Sequence, residues 1–153
     1  MKITITVFFS FLALTSWSQI NKIDSSDAVK QSFWNDNIAA IIHLDKEKII
    51  EQTNFPLKGE WYQEFELWEA SEAQLKAAYI DKIEKVFDEL VIIGLKKLTW
   101  KNASFKLIDG EYGISVIYDR VELEDHNFIY FSYELVFKKI NNHWMLTEIN
   151  FIG

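Results

Sequence analysis

The sequence contains no cysteine, a single proline and only five glycines. Without cysteine the chain has neither a disulfide framework nor a thiolate metal site, and it lacks the thiol that a lipoprotein anchor requires at its cleavage point. The scarcity of glycine and proline leaves little room for long loops. The chain must therefore be held together by side-chain packing.

Apolar and aromatic side chains are abundant instead. Hydrophobic residues make up 49% and aromatic residues 16% of the 153 residues, so a packed core is expected and disorder is not. The formal net charge of −7 repels phosphate backbones and anionic lipid surfaces. We therefore expect one domain that has no nucleic-acid partner.

The amino-terminal segment differs from the rest of the chain. Lys2 precedes a short apolar stretch from Ile3 to Leu14, and the small residues Ser16 and Ser18 follow. This order is typical of a cleaved signal peptide, and roughly a dozen apolar residues are too few to span a bilayer as a helix. The sequence predicts a signal peptide over residues 1–19 and a single exported domain over residues 20–153. That domain is expected to be soluble, in the periplasm or outside the cell, without stable membrane insertion.

Three helices are predicted before any regular strand pattern. Helical spacing begins at Asp27, and Asp45 is placed to cap a second short helix. Ser71 and Gln74 have the spacing of a capping box, which opens a third helix predicted to continue as one amphipathic stretch as far as Leu90. Between the second and third helices, the aromatic segment of residues 61–68 is either a strand or a connection.

The apolar period falls to two after Gly94, which predicts an antiparallel meander. Asp109-Gly110 and Asn141-Asn142 are typical tight-turn dipeptides, and residues 124–127 form a polar loop. Helices followed by such strands predict an α+β fold in which the amino-terminal helices pack on one side of a curved antiparallel sheet. The predicted strands are Ser104–Ile108, Tyr112–Val121, Phe128–Ile140 and His143–Ile152.

Two stretches resemble the nuclear-transport-factor-two-like superfamily: Phe-Pro-Leu-x-Gly at residues 55–59, and the hairpin Asn-Asn-His-Trp-x-Leu-x-x-Ile at residues 141–149. The resemblance covers roughly residues 27–152. It implies a cone-shaped, cystatin-like domain whose sheet wraps around the third helix and whose pocket opens at the wide end. The superfamily includes ketosteroid isomerases, polyketide cyclases, dehydratases, dimeric binding scaffolds and many secreted bacterial proteins, so the fold does not decide between enzyme and non-enzyme.

The resemblance also implies candidate site residues at inward-facing positions of the sheet. Glu134 has apolar strand neighbours, and burial in a dry pocket would raise the pKa of its carboxyl towards a range useful for proton transfer. The alternative is that Glu134 lies on the solvated face beside Ser132 and Lys138. The catalytic candidates are Glu134, Asp119 and Tyr118, and the ligand-binding candidates are Tyr130, Tyr133, Trp61 and Trp68.

The rings of Trp61, Tyr62, Phe65 and Trp68 lie among glutamates in the sequence. Such a cluster is either part of the core or pocket wall, or an exposed surface for a ligand or partner.

No motif in the chain points to a cofactor or a covalent mechanism. The three histidines His43, His126 and His143 share no ligand spacing, so no metal is expected. Glycine-rich phosphate loops and the Gly-x-Ser-x-Gly nucleophile motif are absent from the sequence.

These observations favour an exported, non-catalytic binding or scaffold domain. A small apolar ligand and a homodimer formed through the open sheet face are its candidate partners. One alternative is a small isomerase-type or dehydratase-type enzyme that uses a pocket carboxylate. The other is a protein-interaction or inhibitor module that uses the acidic aromatic segment Glu60–Glu69.

Overall fold

The computed structural model describes residues 26–124 and 127–152, and the side chains of residue 64 and of residues 121–130 are outside that description. The predicted signal peptide and the centre of the predicted polar loop, residues 125–126, also lie outside the described residues. In chain order the elements are α1 (Asp27–Phe33), a π-helical turn (Trp34–Ile38), α2 (Ala39–Ile42), α3 (Lys46–Glu51), β1 (Thr53–Gly59), a 3-10 turn (Gln63–Phe65), α4 (Glu72–Asp81), α5 (Ile83–Val86), α6 (Glu89–Lys96), a second 3-10 turn (Trp100–Asn102), β2 (Ser104–Ile108), β3 (Glu111–Glu124), β4 (Asn127–Ile140) and β5 (His143–Ile152).

The first two predicted helices are confirmed. The Asp45 carboxylate accepts the backbone N–H of Lys48 and caps α3 as expected. The first helix, however, is not uniform, because a π-helical turn separates α1 from α2. There the N–H of Ala39 bonds to the carbonyl of Trp34, five residues back. The sequence pattern predicts the helix but not this turn.

The third predicted helix begins where the capping box places it, at Ser71 and Gln74, but it is not continuous. The backbone leaves helical geometry at Lys82 and again at Phe87. The Asp88 carboxylate then accepts the N–H of Val91 at 3.0 Å and starts α6. The prediction of one uninterrupted helix is therefore wrong.

The breaks follow from the spacing of the buried residues. Tyr79, Ile83, Phe87, Val91 and Leu95 occur at every fourth position and are all buried. In a straight helix of 3.6 residues per turn, each four-residue step rotates the side chain by about 40°. Five such residues would turn well away from a common face, whereas three short helices return each of them to the core.

All five strands join one sheet in the order β1-β5-β4-β3-β2. The meander from β2 to β5 is confirmed, and both turn dipeptides have positive φ angles, as the sequence predicts. The strand β1 adds to the sheet in parallel beside β5. The chain thus returns to pair its early extended segment with its last strand, which no local pattern indicates.

The helices cover one face of the sheet, which we call the inner face and which carries Ile114, Val116, Leu135 and Phe137. All four side chains are fully buried. The approach of α6 is close enough that a Cβ on Gly94 would lie 2.7 Å from the carbonyl oxygen of Asp119. The described helices and five-stranded sheet confirm the predicted α+β fold class and are consistent with a cone. Within residues 26–124 and 127–152, no helix is long and apolar enough to span a bilayer.

Candidate functional site

The pleat of the sheet divides the candidate residues between its two faces. Tyr118 is on the inner face and the next residue, Asp119, is on the opposite face, which we call the outer face; Tyr133 and Glu134 are divided in the same way. The rings of Tyr118 and Tyr133 stack with centroids 5.7 Å apart. The side chain of the fifth sheet candidate, Tyr130, lies outside the described residues.

Little space remains between Tyr133 and the helices. A gap of about 20 Å³ lies there, bordered by Trp61, Val91 and Ile149 among others, and a cavity of this size holds about one water molecule. Trp61 is buried, packs edge-on against Tyr79 at 5.4 Å and donates its indole N–H to the carbonyl of Leu57. The described conformation therefore has no room for a small apolar ligand at this position.

Glu134 lies on the outer face and is held by an ionic network. Its Oε1 atom accepts hydrogen bonds from the Lys106 ammonium and from the Ser115 hydroxyl. Partial burial is the largest single influence and raises the pKa of Glu134, but these two hydrogen bonds, the charge of Lys106 and a bond to Asn150 together lower it below its usual value. The raised pKa expected for a pocket base is not found. Glu134 lies on the same face as Ser132 and Lys138, as that alternative describes, but its side chain is only 14% exposed.

The second candidate carboxylate is also on the outer face. Asp119 is exposed and accepts the Ser132 hydroxyl at 2.9 Å. Further along the same face, Lys138 binds Asp109 at 2.9 Å and lies 3.8 Å from Glu148. Neither Asp119 nor Glu134 borders the gap beside Tyr133. Both belong to a polar layer that covers the outer face.

A larger space lies elsewhere, in a groove of about 960 Å³. Its walls are α1 with the π-helical turn, α3 with the start of β1, and the tip of the β4–β5 hairpin. Trp144 and His143, on that hairpin, both line it. No sequence pattern predicts the groove, because its walls come from three segments that are distant along the chain.

The π-helical turn places Asn37 in the groove wall. This side chain is only 3% exposed, and its Nδ2 donates to the carbonyl oxygen of Trp144 at 2.9 Å. None of the hydrogen bonds among the described residues is accepted by its Oδ1, although Asn37 lines the groove. Turns of this kind occur frequently at functional sites. The groove thus contains a nearly buried amide with acceptor capacity left over.

Carboxylates predominate among the charged residues that line the groove. Lys48 binds Asp36 at 2.9 Å across one wall. Lys139 lies with its ammonium nitrogen 6.0 Å from the centroid of the Trp144 ring. The lining contains four acidic residues and two lysines, and the acidic ones are Asp36, Asp45, Glu47 and Glu51.

The aromatic segment is a connection rather than a strand, and its two tryptophans have opposite environments. Trp61 is in the core, whereas Trp68 is 63% exposed and contacts Tyr62 edge-on at 6.2 Å. Glu66 has a left-handed backbone conformation that turns the chain after the 3-10 turn. Trp61 therefore has the core position of the first alternative, whereas the role of the exposed Trp68 stays a prediction.

No group of three or more potential metal ligands comes together among residues 26–124 and 127–152. His43 and His143 are exposed there, and His126 lies outside the described residues.

Comparisons with known proteins add little to this geometry. No family model matches the chain, and no match to a curated protein is found. Among solved structures, the chain is similar to a designed protein, a substituted form of Rd1NTF2_05, with a TM-score of 0.44 and 11% sequence identity, over 82% of this chain and 98% of that one. A likeness this distant carries no argument about function.

Proposed function

We propose that this chain is an exported, non-catalytic binding domain whose ligand occupies the groove between α1, α3 and the β4–β5 hairpin. The contrast between the two cavities supports this proposal. The groove measures about 960 Å³, whereas the gap beside Tyr133 measures about 20 Å³. Small-molecule sites usually have volumes of about 300–1,000 Å³. Of these two spaces, the groove alone has the capacity of such a site.

The positions of the candidate bases support a non-catalytic role. A general base must come within hydrogen-bond reach of the proton that it removes. Glu134 is instead paired with Lys106 on the outer face, and its pKa is lowered. The isomerase-type or dehydratase-type alternative would require the core around Trp61 and Tyr133 to open.

The groove can be tested by titrating the isotopically labelled protein with a panel of small cationic, neutral and anionic compounds and recording its NMR spectrum. We expect at least one compound to shift the indole signal of Trp144, which a Trp144→Phe variant identifies. Shifts at the Trp61 indole without any at Trp144 would favour a pocket in the cone and contradict the proposed site. No shift at Trp144 with any compound would also contradict it.

A second candidate function is protein interaction through the Glu60–Glu69 segment. Exposed tryptophans are enriched in binding surfaces, and Trp68 is 63% exposed beside two acidic residues, Glu66 and Glu69. A partner that binds this segment should shift the Trp68 indole signal and leave that of Trp144 unchanged. Trp68→Ala should then abolish binding without altering stability.

The outer face is the proposed surface for a homodimer. Ile117 and Ile152 are its exposed large apolar side chains among the described residues. Sedimentation of the purified protein should reveal a dimer, and Ile117→Glu should shift it to a monomer. A monomer at all concentrations would contradict this part of the proposal.

Export can be tested by expressing the full chain in a bacterial host and determining the mass of the product outside the cytoplasm. Cleavage after Ser18 or Gln19 is expected. An intact chain retained in the cytoplasm would contradict the signal-peptide prediction.

A further inference from the structure

We propose that the groove recognises an organic cation that carries a primary ammonium group. This inference rests on the proposed function, because it names the ligand class of the same site. Three features of the groove support it: the excess of carboxylates, the acceptor capacity of Asn37, and the Trp144 ring.

The carboxylates give the groove its charge preference. Lys48 neutralises Asp36, which leaves Asp45, Glu47 and Glu51 against Lys139 in the lining. Glu47 and Glu51 are one turn apart on α3 and therefore project from the same side of that helix. A cation that enters the groove gains from this field, and an anion is repelled by it.

Asn37 is the second, independent feature. Its Nδ2 is committed to the Trp144 carbonyl, and this bond fixes the orientation of the amide. None of the hydrogen bonds among the described residues is accepted by its Oδ1 atom, and Asn37 is only 3% exposed. A carbonyl oxygen in that position accepts from a donor such as an ammonium N–H. A ligand that donates hydrogen bonds can therefore use this acceptor.

The Trp144 ring is the third feature. The ammonium of Lys139 already lies 6.0 Å from its centroid, which is within the usual range of a cation–π contact. Phe33 packs edge-on against the same ring at 6.1 Å and completes an apolar wall. An alkyl ammonium ligand can place its methylene groups along this wall and its charge near the carboxylates.

The experiment compares matched probes on the full, purified protein. Cadaverine, a five-carbon diamine, is titrated against pentanediol, which has the same length and carries hydroxyls in place of ammonium groups. N-acetyl-lysine methylamide forms a third arm, which distinguishes a peptide lysine from a free amine as the source of the ammonium. We expect cadaverine or the lysine derivative, but not pentanediol, to shift the Trp144 indole signal, and the shift to decrease as salt is added.

The variants Glu47→Gln and Glu51→Gln, combined, should weaken that binding roughly fivefold to tenfold, in line with the loss of two exposed charges. Glu111→Gln is the control, because Glu111 is exposed and outside the groove. Equal binding of pentanediol and cadaverine would overturn the cation inference while leaving the groove as a site. Unchanged affinity in the double variant would overturn it as well. Absence of any shift at Trp144 with the whole panel would instead contradict the proposed function.

Discussion

The two faces of the sheet are made by alternate residues of the same strands, yet they are buried in different ways. On the inner face, Ile114 and Leu135 are covered by helices. On the outer face, Ser115 and Val136 are equally buried, but what covers this face is an ionic layer that includes Glu134, whose side chain is 14% exposed. Long charged side chains can cover small residues in this way while keeping their ends near water.

The difference between the two faces explains why the candidate residues do not form one site. A catalytic carboxylate and a tyrosine that are adjacent on a strand cannot face the same pocket. Tyr118 and Asp119 are adjacent, as are Tyr133 and Glu134, so each pair is divided between a packed apolar layer and a polar one. The residues that the sequence predicts as one site belong to two different environments.

A substitution on the inner face is expected to lower the free energy of unfolding most. Leu135→Ala removes a fully buried side chain that the helices cover, and it should lower the free energy of unfolding by about 2–5 kcal/mol. Urea denaturation measures this value. Ile117→Ala on the outer face is the matched control when all proteins are compared as monomers, since Ile117 is 43% exposed in the single chain, and it should cost well under half as much. Equal losses of unfolding free energy in the two variants would contradict the conclusion that helices cover the inner face and not the outer one.

A substitution at the contact between α6 and the inner face is expected to have the second largest effect on stability. In Gly94→Ala, the new Cβ would meet the Asp119 carbonyl oxygen at 2.7 Å and Tyr118 at 3.1 Å. The helix must move away, at a cost of about 1–3 kcal/mol, despite the better helix propensity of alanine. Thermal unfolding measures the change. A stabilised variant would show that α6 is not packed this closely.

A smaller effect is expected on the outer face. Glu134→Gln keeps the shape but removes the charge bound by Lys106 and Ser115, and it should lower the free energy of unfolding by about 1 kcal/mol at neutral pH. Because the folded pKa of Glu134 is lowered, its contribution is present above the unfolded value of 4.5 and is lost as the pH falls through the folded value. Urea denaturation between neutral and acidic pH should show a weaker acid dependence in the variant than in the parent protein.

A substitution away from the sheet is expected to change the free energy of unfolding least. Glu84→Gln is the same chemical change at an ion pair with Lys46 in which both side chains are about half exposed or more. Such pairs contribute about 0–1 kcal/mol, so the unfolding free energy and its acid dependence should hardly change. A loss equal to that of Glu134→Gln would mean that the outer-face network is no better shielded than an ordinary surface pair.

Much of the fold can be predicted because the responsible interactions are local. The period of two, the turn dipeptides Asp109-Gly110 and Asn141-Asn142, and the capping residues Asp45 and Ser71 all act within a few positions of the chain. The helix breaks at Lys82 and Phe87 cannot be predicted in the same way. They depend on where the sheet lies, because it determines which face each short helix must bury.

The groove could not be predicted from the sequence for a related reason. Two of its walls are joined by a hydrogen bond between Asn37 and Trp144, which are 107 positions apart. The resemblance points to residues of the sheet instead, and Trp144 belongs only to its hairpin motif. A pair so distant in the chain leaves no periodic signal.

The sequence by itself determined the elements of this protein: the α+β class, the strands of the meander and their turns, because alternation and turn chemistry are properties of neighbouring residues. The tertiary structure alone decided three further features: the parallel placement of β1 beside β5, the division of the candidate residues between two unlike faces, and the groove. These arise where segments distant along the chain meet, and only packing brings them together.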